Sequence, residues 1–353
     1  MLTNQTAEDI CTLSQGDVVA QISELYDLIG NRVDSLPDQL NLARGNDADY
    51  DSDDSITLES SFTASDALKE SVTDMLSVFD SVALPQDYGR GFQEATTTAS
   101  LEDLFVPGNL SATIYGLAVR DASIYKRLTK VITPDRCASS YYAKQRARAE
   151  EAMRSLGRYI RDGPSPNPAT QDMDVPECAR TFRMIVHQIC QDRDSRTAKQ
   201  PLSAAVITKV AEILVEILQQ VCNRDIDVYE NITWPRVGAN DEPERDRNLY
   251  MYLIGDPPRD PSAPAWMNDD FVIDQLLNFP TNEWRHLIEP LTTLREEIYE
   301  RAVEYGLPSI DYAAKLEAML REYTNEAEEP STSSVQRRLT LESPRERQRR
   351  RMA

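Results

Sequence analysis

Ser203-Ala-Ala-Val-Ile-Thr-Lys-Val-Ala-Glu-Ile-Leu-Val-Glu-Ile-Leu-Gln-Gln-Val-Cys-Asn223 is the stretch that decides the fold. Ile207, Val210, Leu214, Ile217 and Val221 recur at alternating threes and fours, and Val206, Ile213 and Leu218 widen the stripe. Such spacing belongs to a helix and not to the two-residue alternation of a strand. Its width predicts a helix buried in a core, since a coiled-coil seam is narrower.

The same rhythm runs outward in both directions. Val18, Ile22, Leu25, Ile29, Val33 and Leu36 form one stripe upstream. Downstream, Leu287, Leu291, Leu294, Ile298, Ala302 and Tyr305 repeat it, with Pro290 placed to kink or restart the helix and Gly306 placed to cap it. Ile310, Ala313, Leu316, Leu320 and Tyr323 mark a last helix. Further helices are expected near 65–83, 111–131, 138–161, 177–192 and 269–279. The strand candidates, Ser55–Phe62 and Asp227–Trp234, have no hairpin partner. The fold class is therefore all-α, an irregular multi-helix domain.

Polar and proline-rich stretches divide the chain. Residues 1–45 carry the first amphipathic helix, and 46–100 form an acidic linker with one amphipathic helix. The main helical domain spans 101–325, with a Pro-rich break near 163–170 and an irregular segment at 235–264. Residues 326–353 lose all hydrophobic periodicity and read as a disordered basic tail, as 45–54 reads as a solvated, partly flexible acidic arm.

Charge follows these divisions. Of 353 residues, 59 are acidic and 38 basic, a net charge of −21. Residues 1–110 hold 21 acids against 4 bases, whereas 111–170 hold 11 bases against 5 acids. Residues 171–330 are again negative, with 31 acids and 16 bases, and 331–353 carry 7 bases and 2 acids. A field this negative disfavours wrapping of nucleic acid by the whole surface. No run of about 18 apolar residues is present, so no membrane span is expected. The opening residues, with acids and no apolar core, predict no secretory signal. Five cysteines without a CxxC pair suit a reducing compartment.

Motifs for chemistry are sparse. Asp269-Asp270-Phe271-Val272-Ile273-Asp274 contains DDxxxD, a spacing that isoprenoid synthases use to hold Mg²⁺ on a diphosphate. The plainer account is Asn268 as an N-cap with two aspartates in the first helical turn. Glu283 and His286 make a single ExxH, whereas di-iron bundles need two. Cys178, His187 and Cys190 have no zinc-knuckle spacing. Walker, GxGxxG and GxSxG motifs are absent. The reading is non-catalytic, with no cofactor and no metal.

Three features point to interaction. On helix 138–161, Lys144, Arg148, Arg154, Arg158 and Arg161 lie opposite an apolar face, a basic surface for a partner. On the acidic arm, Leu68, Val72, Met75, Leu76 and Phe79 share a helical face that either packs on the core or enters a partner's groove. In the tail, Arg345, Arg347, Arg349, Arg350 and Arg351 form a localisation-type cluster beside Thr340 and Ser343, two candidate phosphorylation sites. The leading expectation is an intracellular scaffold or protein-interaction subunit, nuclear or nucleocytoplasmic, regulated through its tail. Nucleic-acid binding through helix 138–161 and the tail comes second. An all-helical Mg-dependent enzyme using 269–274 comes third. The partner protein's identity is not encoded in any motif.

Overall fold

The computed structural model describes residues 65–90, 109–165, 173–230, 232–235 and 242–328. Among them all regular structure is helical, and there is no strand. The expected helix 17–36, the strand candidate 55–62, the acidic stretch 45–54 and the tail from 329 onward lie outside the described residues. So do Thr340, Ser343 and the arginines at 345–351.

The chain divides into two compact units, Met1–Val72 with Gly91–Thr133, and Thr73–Arg90 with Pro134–Ala353. Helix α1 (Asp66–Ser77) contributes to both, and α2 (Pro85–Arg90) belongs to the second. In the first unit, α3 (Leu110–Arg120) and α4 (Ala122–Val131) pack against each other, and Ile114, Tyr115, Ala118, Val119, Ile124 and Leu128 are buried. The sequence pattern predicts one helix over 111–131, but the structure breaks it at Asp121. The Asp121 carboxylate accepts from the backbone N–H groups of Ser123 and Ile124 at 2.7 and 3.4 Å, and its own backbone is extended. That local bonding competes with helix continuation and starts a new helix.

The second unit is built around α5 (Pro134–Asp162), α6 (Val175–Lys199) and α7 (Ala204–Cys222). Asp174 and Ser203 N-cap α6 and α7. Helix α7 is the central element, packing against α5, α6 and α8 (Ile288–Tyr305), with Val210, Leu214, Leu218 and Val221 fully covered. Each such side chain contributes about 1.5–3 kcal/mol of hydrophobic stabilisation. Helix α5 ends at Gly163, whose φ of +81° an L side chain resists; Trp234 packs 3.1 Å from where a Cβ would sit. The Trp234 indole N–H donates to the Ile160 carbonyl at 2.9 Å, satisfying an acceptor of the last turn.

Helices α8 and α9 (Ser309–Glu328) form a packed hairpin. Pro290 sits in the first turn of α8, where its missing N–H has no intrahelical partner to lose, and Gly306 adopts the left-handed cap at φ 65°. Two stripe residues depart from expectation. Tyr305 and Ile310 flank the hairpin turn and are 60% and 44% exposed, while Tyr312 and Met319 take core positions on α9. Asp227–Trp234, the second strand candidate, is turn and irregular structure where described.

Candidate interaction surfaces

The acidic run at 269–274 does not begin a helix. Asn268 ends a single-turn helix (Ala265–Asn268), and its side chain bridges the Asp260 N–H and carbonyl at 3.0 and 2.8 Å. Asp269 is extended, and Val272 is held at φ 65°, ψ −44°. The Ile273 N–H donates back to the Phe271 carbonyl at 2.8 Å, closing a γ-turn of the strained, positive-φ kind. For a β-branched residue this costs about 1–3 kcal/mol. Surrounding bonds fix it: the buried Tyr312 hydroxyl donates to the same carbonyl, and buried Arg183 donates to the Asp269 carbonyl at 2.8 Å.

The carboxylates here are already occupied. The Lys315 ammonium bridges Asp270, at 3.0 Å, and Asp274, and Arg259 reaches Asp270 at 3.3 Å. Asp274 also accepts from the Asp270 N–H at 2.8 Å. Burial, reinforced by Asp274, pushes the Asp269 carboxyl above the ordinary range. The recess between α6 and the turn, lined by Arg183, His187, Trp266, Asp269 and Gln275, has a volume of about 10 Å³, room for one water. His187 stacks on Trp266, with ring centroids 4.9 Å apart and an interplanar angle of 12°.

The other metal-like patterns also resolve into packing. His286 faces Glu212 at 3.3 Å. Cys137, Cys178, Cys190 and Cys222 are all buried, and burial pushes each thiol up to about 12. A thiol so raised stays protonated and is a poor nucleophile or ligand. Among the described residues no group of three or more His, Cys, Asp or Glu side chains is arranged to hold a metal ion.

Of the five basic residues expected on the outer face of α5, the structure places Lys144 inside. Lys144 is 5% exposed and donates to the carbonyls of Ser77 and Ala83 at 2.5 and 2.8 Å. It neutralises the C-terminal end of α1, where a cation belongs, and desolvation holds its pKa below the usual lysine value. The helical wheel puts it opposite the apolar stripe, but the segment 78–84 covers that side too. Arg148 is tied to Gln145 and Gln188, both at 3.1 Å. Arg154, Arg158 and Arg161 are exposed, yet Arg154 and Arg158 both hold Glu151 at 2.7 Å and Arg161 holds Asp162 at 2.8 Å. Two carboxylates thus offset part of the charge of the three exposed arginines on this face.

Near these residues, Arg196 joins α6 to α1. It contacts Asp74 with two N–H groups at 2.6 and 2.8 Å, holds Asp192 at 2.7 Å, and lies over the Tyr141 ring. Burial alone would weaken its charge, but the bonds to Asp74 outweigh burial and hold its pKa above the ordinary value. On the arm helix, Val72, Met75 and Leu76 are buried within the chain, Leu68 is half-buried, and Phe79 is 43% exposed beyond the helix end. Three of the five residues expected to enter a partner's groove are thus already covered.

The outer face of α8 escaped the sequence reading. Glu289, Glu296, Glu300 and Glu304 project from it beside Tyr299 and Val303, which are 47% and 57% exposed. The helix's arginines do not balance this face evenly. Arg301 reaches Asp225 at 3.3 Å and Glu297 at 3.7 Å and lies over the Tyr250 ring, while Arg295, largely covered, pairs with Glu296 at 3.4 Å. Tyr299 and Val303, four residues apart, were the available signal, a second apolar pair off the buried stripe. Comparison of the chain with family models, with curated proteins and with solved structures found no match.

Proposed function

We propose that the protein is a non-catalytic interaction or scaffold subunit that engages a partner protein through the outer face of α8. It acts in the nucleus and is tuned by phosphorylation of its basic tail. The observation that carries this reading is the combination on α8 of exposed Tyr299 and Val303 with glutamates that no cation fully offsets. Apolar anchors ringed by one sign of charge combine affinity with electrostatic steering. Further support is the engagement of Asp270 and Asp274 by Lys315, which leaves the acidic run with a structural role. The acid partners of Arg154, Arg158 and Arg161 likewise favour a protein partner over nucleic acid.

The test is purification of the full chain from its own cells beside a Tyr299→Ala/Val303→Ser variant, with co-purifying proteins quantified. A partner in constant ratio to the chain, lost from the variant, is the expected result; equal recovery from both, or no such partner, contradicts the reading. Replacing Arg345, Arg347, Arg349, Arg350 and Arg351 with alanine should shift a fluorescently tagged chain out of the nucleus.

A further inference from the structure

We infer that the tail of this chain, residues 331–353, docks on the outer face of α8 and is released by phosphate on Thr340 or Ser343. The inference rests on the reading of α8 as the interaction surface and supplies its regulation.

Complementarity is the first ground. The face presents Glu289, Glu296, Glu300 and Glu304 with Tyr299 and Val303, and the tail presents Arg337-Arg338-Leu339-Thr340-Leu341 followed by five more arginines. Arginines can pair with the glutamates while Leu339 and Leu341 cover the exposed ring and valine. Among the described residues Glu289, Glu300 and Glu304 have no ion pair, so the docked tail would meet carboxylates that nothing else neutralises. Reach is the second ground. Helix α9 is the second arm of the hairpin with α8 and ends at Glu328, so the tail starts on the element packed against its target. The eleven residues from Glu328 to Leu339 span up to about 36 Å when extended. The 18-residue helix α8 is about 27 Å long.

The switch follows from charge. A phosphate on Thr340 or Ser343 brings roughly two negative charges against a row of glutamates and offsets neighbouring arginines. Docking therefore covers the partner surface when the tail is unmodified and exposes it when the tail is phosphorylated.

The experiment places a photo-crosslinking benzoylphenylalanine at Leu339 in the full chain and maps its products by mass spectrometry. The expected result is crosslinking within one chain to 296–304, at a yield independent of protein concentration. That yield should fall roughly tenfold in Glu296→Lys/Glu300→Lys/Glu304→Lys, the combined effect of three exposed pairs. It should fall several-fold in Thr340→Glu/Ser343→Glu and in about 0.5 M salt. Products on other elements, products between two chains, or a yield that ignores these changes would each overturn the inference. Partner recovery from the Tyr299→Ala/Val303→Ser chain separates the two ideas. Loss of partner without tail crosslinks at 296–304 sinks the docking alone, and tail crosslinks there with the partner retained sink the function reading alone.

Discussion

The turn at 269–274 and the outer face of α8 are both rich in carboxylates, yet they end in opposite situations. In the turn, cations arrive from distant elements: Lys315 from α9, Arg259 from the preceding loop, Arg183 from α6. On α8, Arg295 meets Glu296 and Arg301 is shared between Asp225 and Glu297, whereas Glu289, Glu300 and Glu304 face outward with no ion pair among the described residues. A carboxylate with a fixed cation is part of the architecture, whereas one without it is free to meet something else. Sequence spacing cannot distinguish them, because the deciding partner in the turn lies more than forty residues away.

This contrast can be broken by mutation, most strongly where the pairing is most buried. Replacing Arg196 with Met would leave Asp74 and Asp192, each about one-fifth exposed, facing one another without their shared cation. A loss of about 3 kcal/mol in denaturant unfolding is expected, and a loss below about 0.5 kcal/mol would show the network to be incidental. Lys315→Met should cost about 2 kcal/mol by the same logic at a more exposed site. A smaller loss than from Glu300→Gln would invert the comparison.

Asp269 sharpens the contrast through pH. Its folded-state pKa is raised, chiefly by burial, so its ionised form opposes folding at neutral pH. That penalty disappears as pH falls through the raised folded value toward the unfolded one, about 3.9. Asp269→Asn should therefore melt higher than the parent chain at pH 7, and the gap should close on acidification. A gap that widens as pH falls would contradict the assignment. On α8, Glu300→Gln/Glu304→Gln should change stability by no more than about 0.5 kcal/mol, while weakening whatever docks there.

Much of the fold was legible because burial leaves a periodic record. The stripe from Val206 to Val221 marked the central helix, and Gly306 marked the end of α8. Failures arose where one local bond or one distant segment decided the outcome. Asp121 bonding to its own neighbours splits a pattern that reads as one helix. The γ-turn at Val272 is stabilised by Tyr312, forty residues on, and nothing in Asp-Asp-Phe-Val announces it. Lys144 reads as solvent-facing on a wheel, yet the segment after α1 wraps over it. The α8 surface was legible in part, as Tyr299 and Val303. What the spacing could not reveal was that Arg295 and Arg301 pair with Glu296 and Glu297, leaving Glu289, Glu300 and Glu304 without an ion pair among the described residues.

The most direct test of α8 as the interaction surface is quantitative co-purification of the full chain and its Tyr299→Ala/Val303→Ser variant from the same cells, with thermal unfolding measured on both. The two chains should melt within about 2 °C of each other, and a fixed-ratio partner should be present only with the parent chain. The same partner recovered equally from a normally folded variant would contradict it.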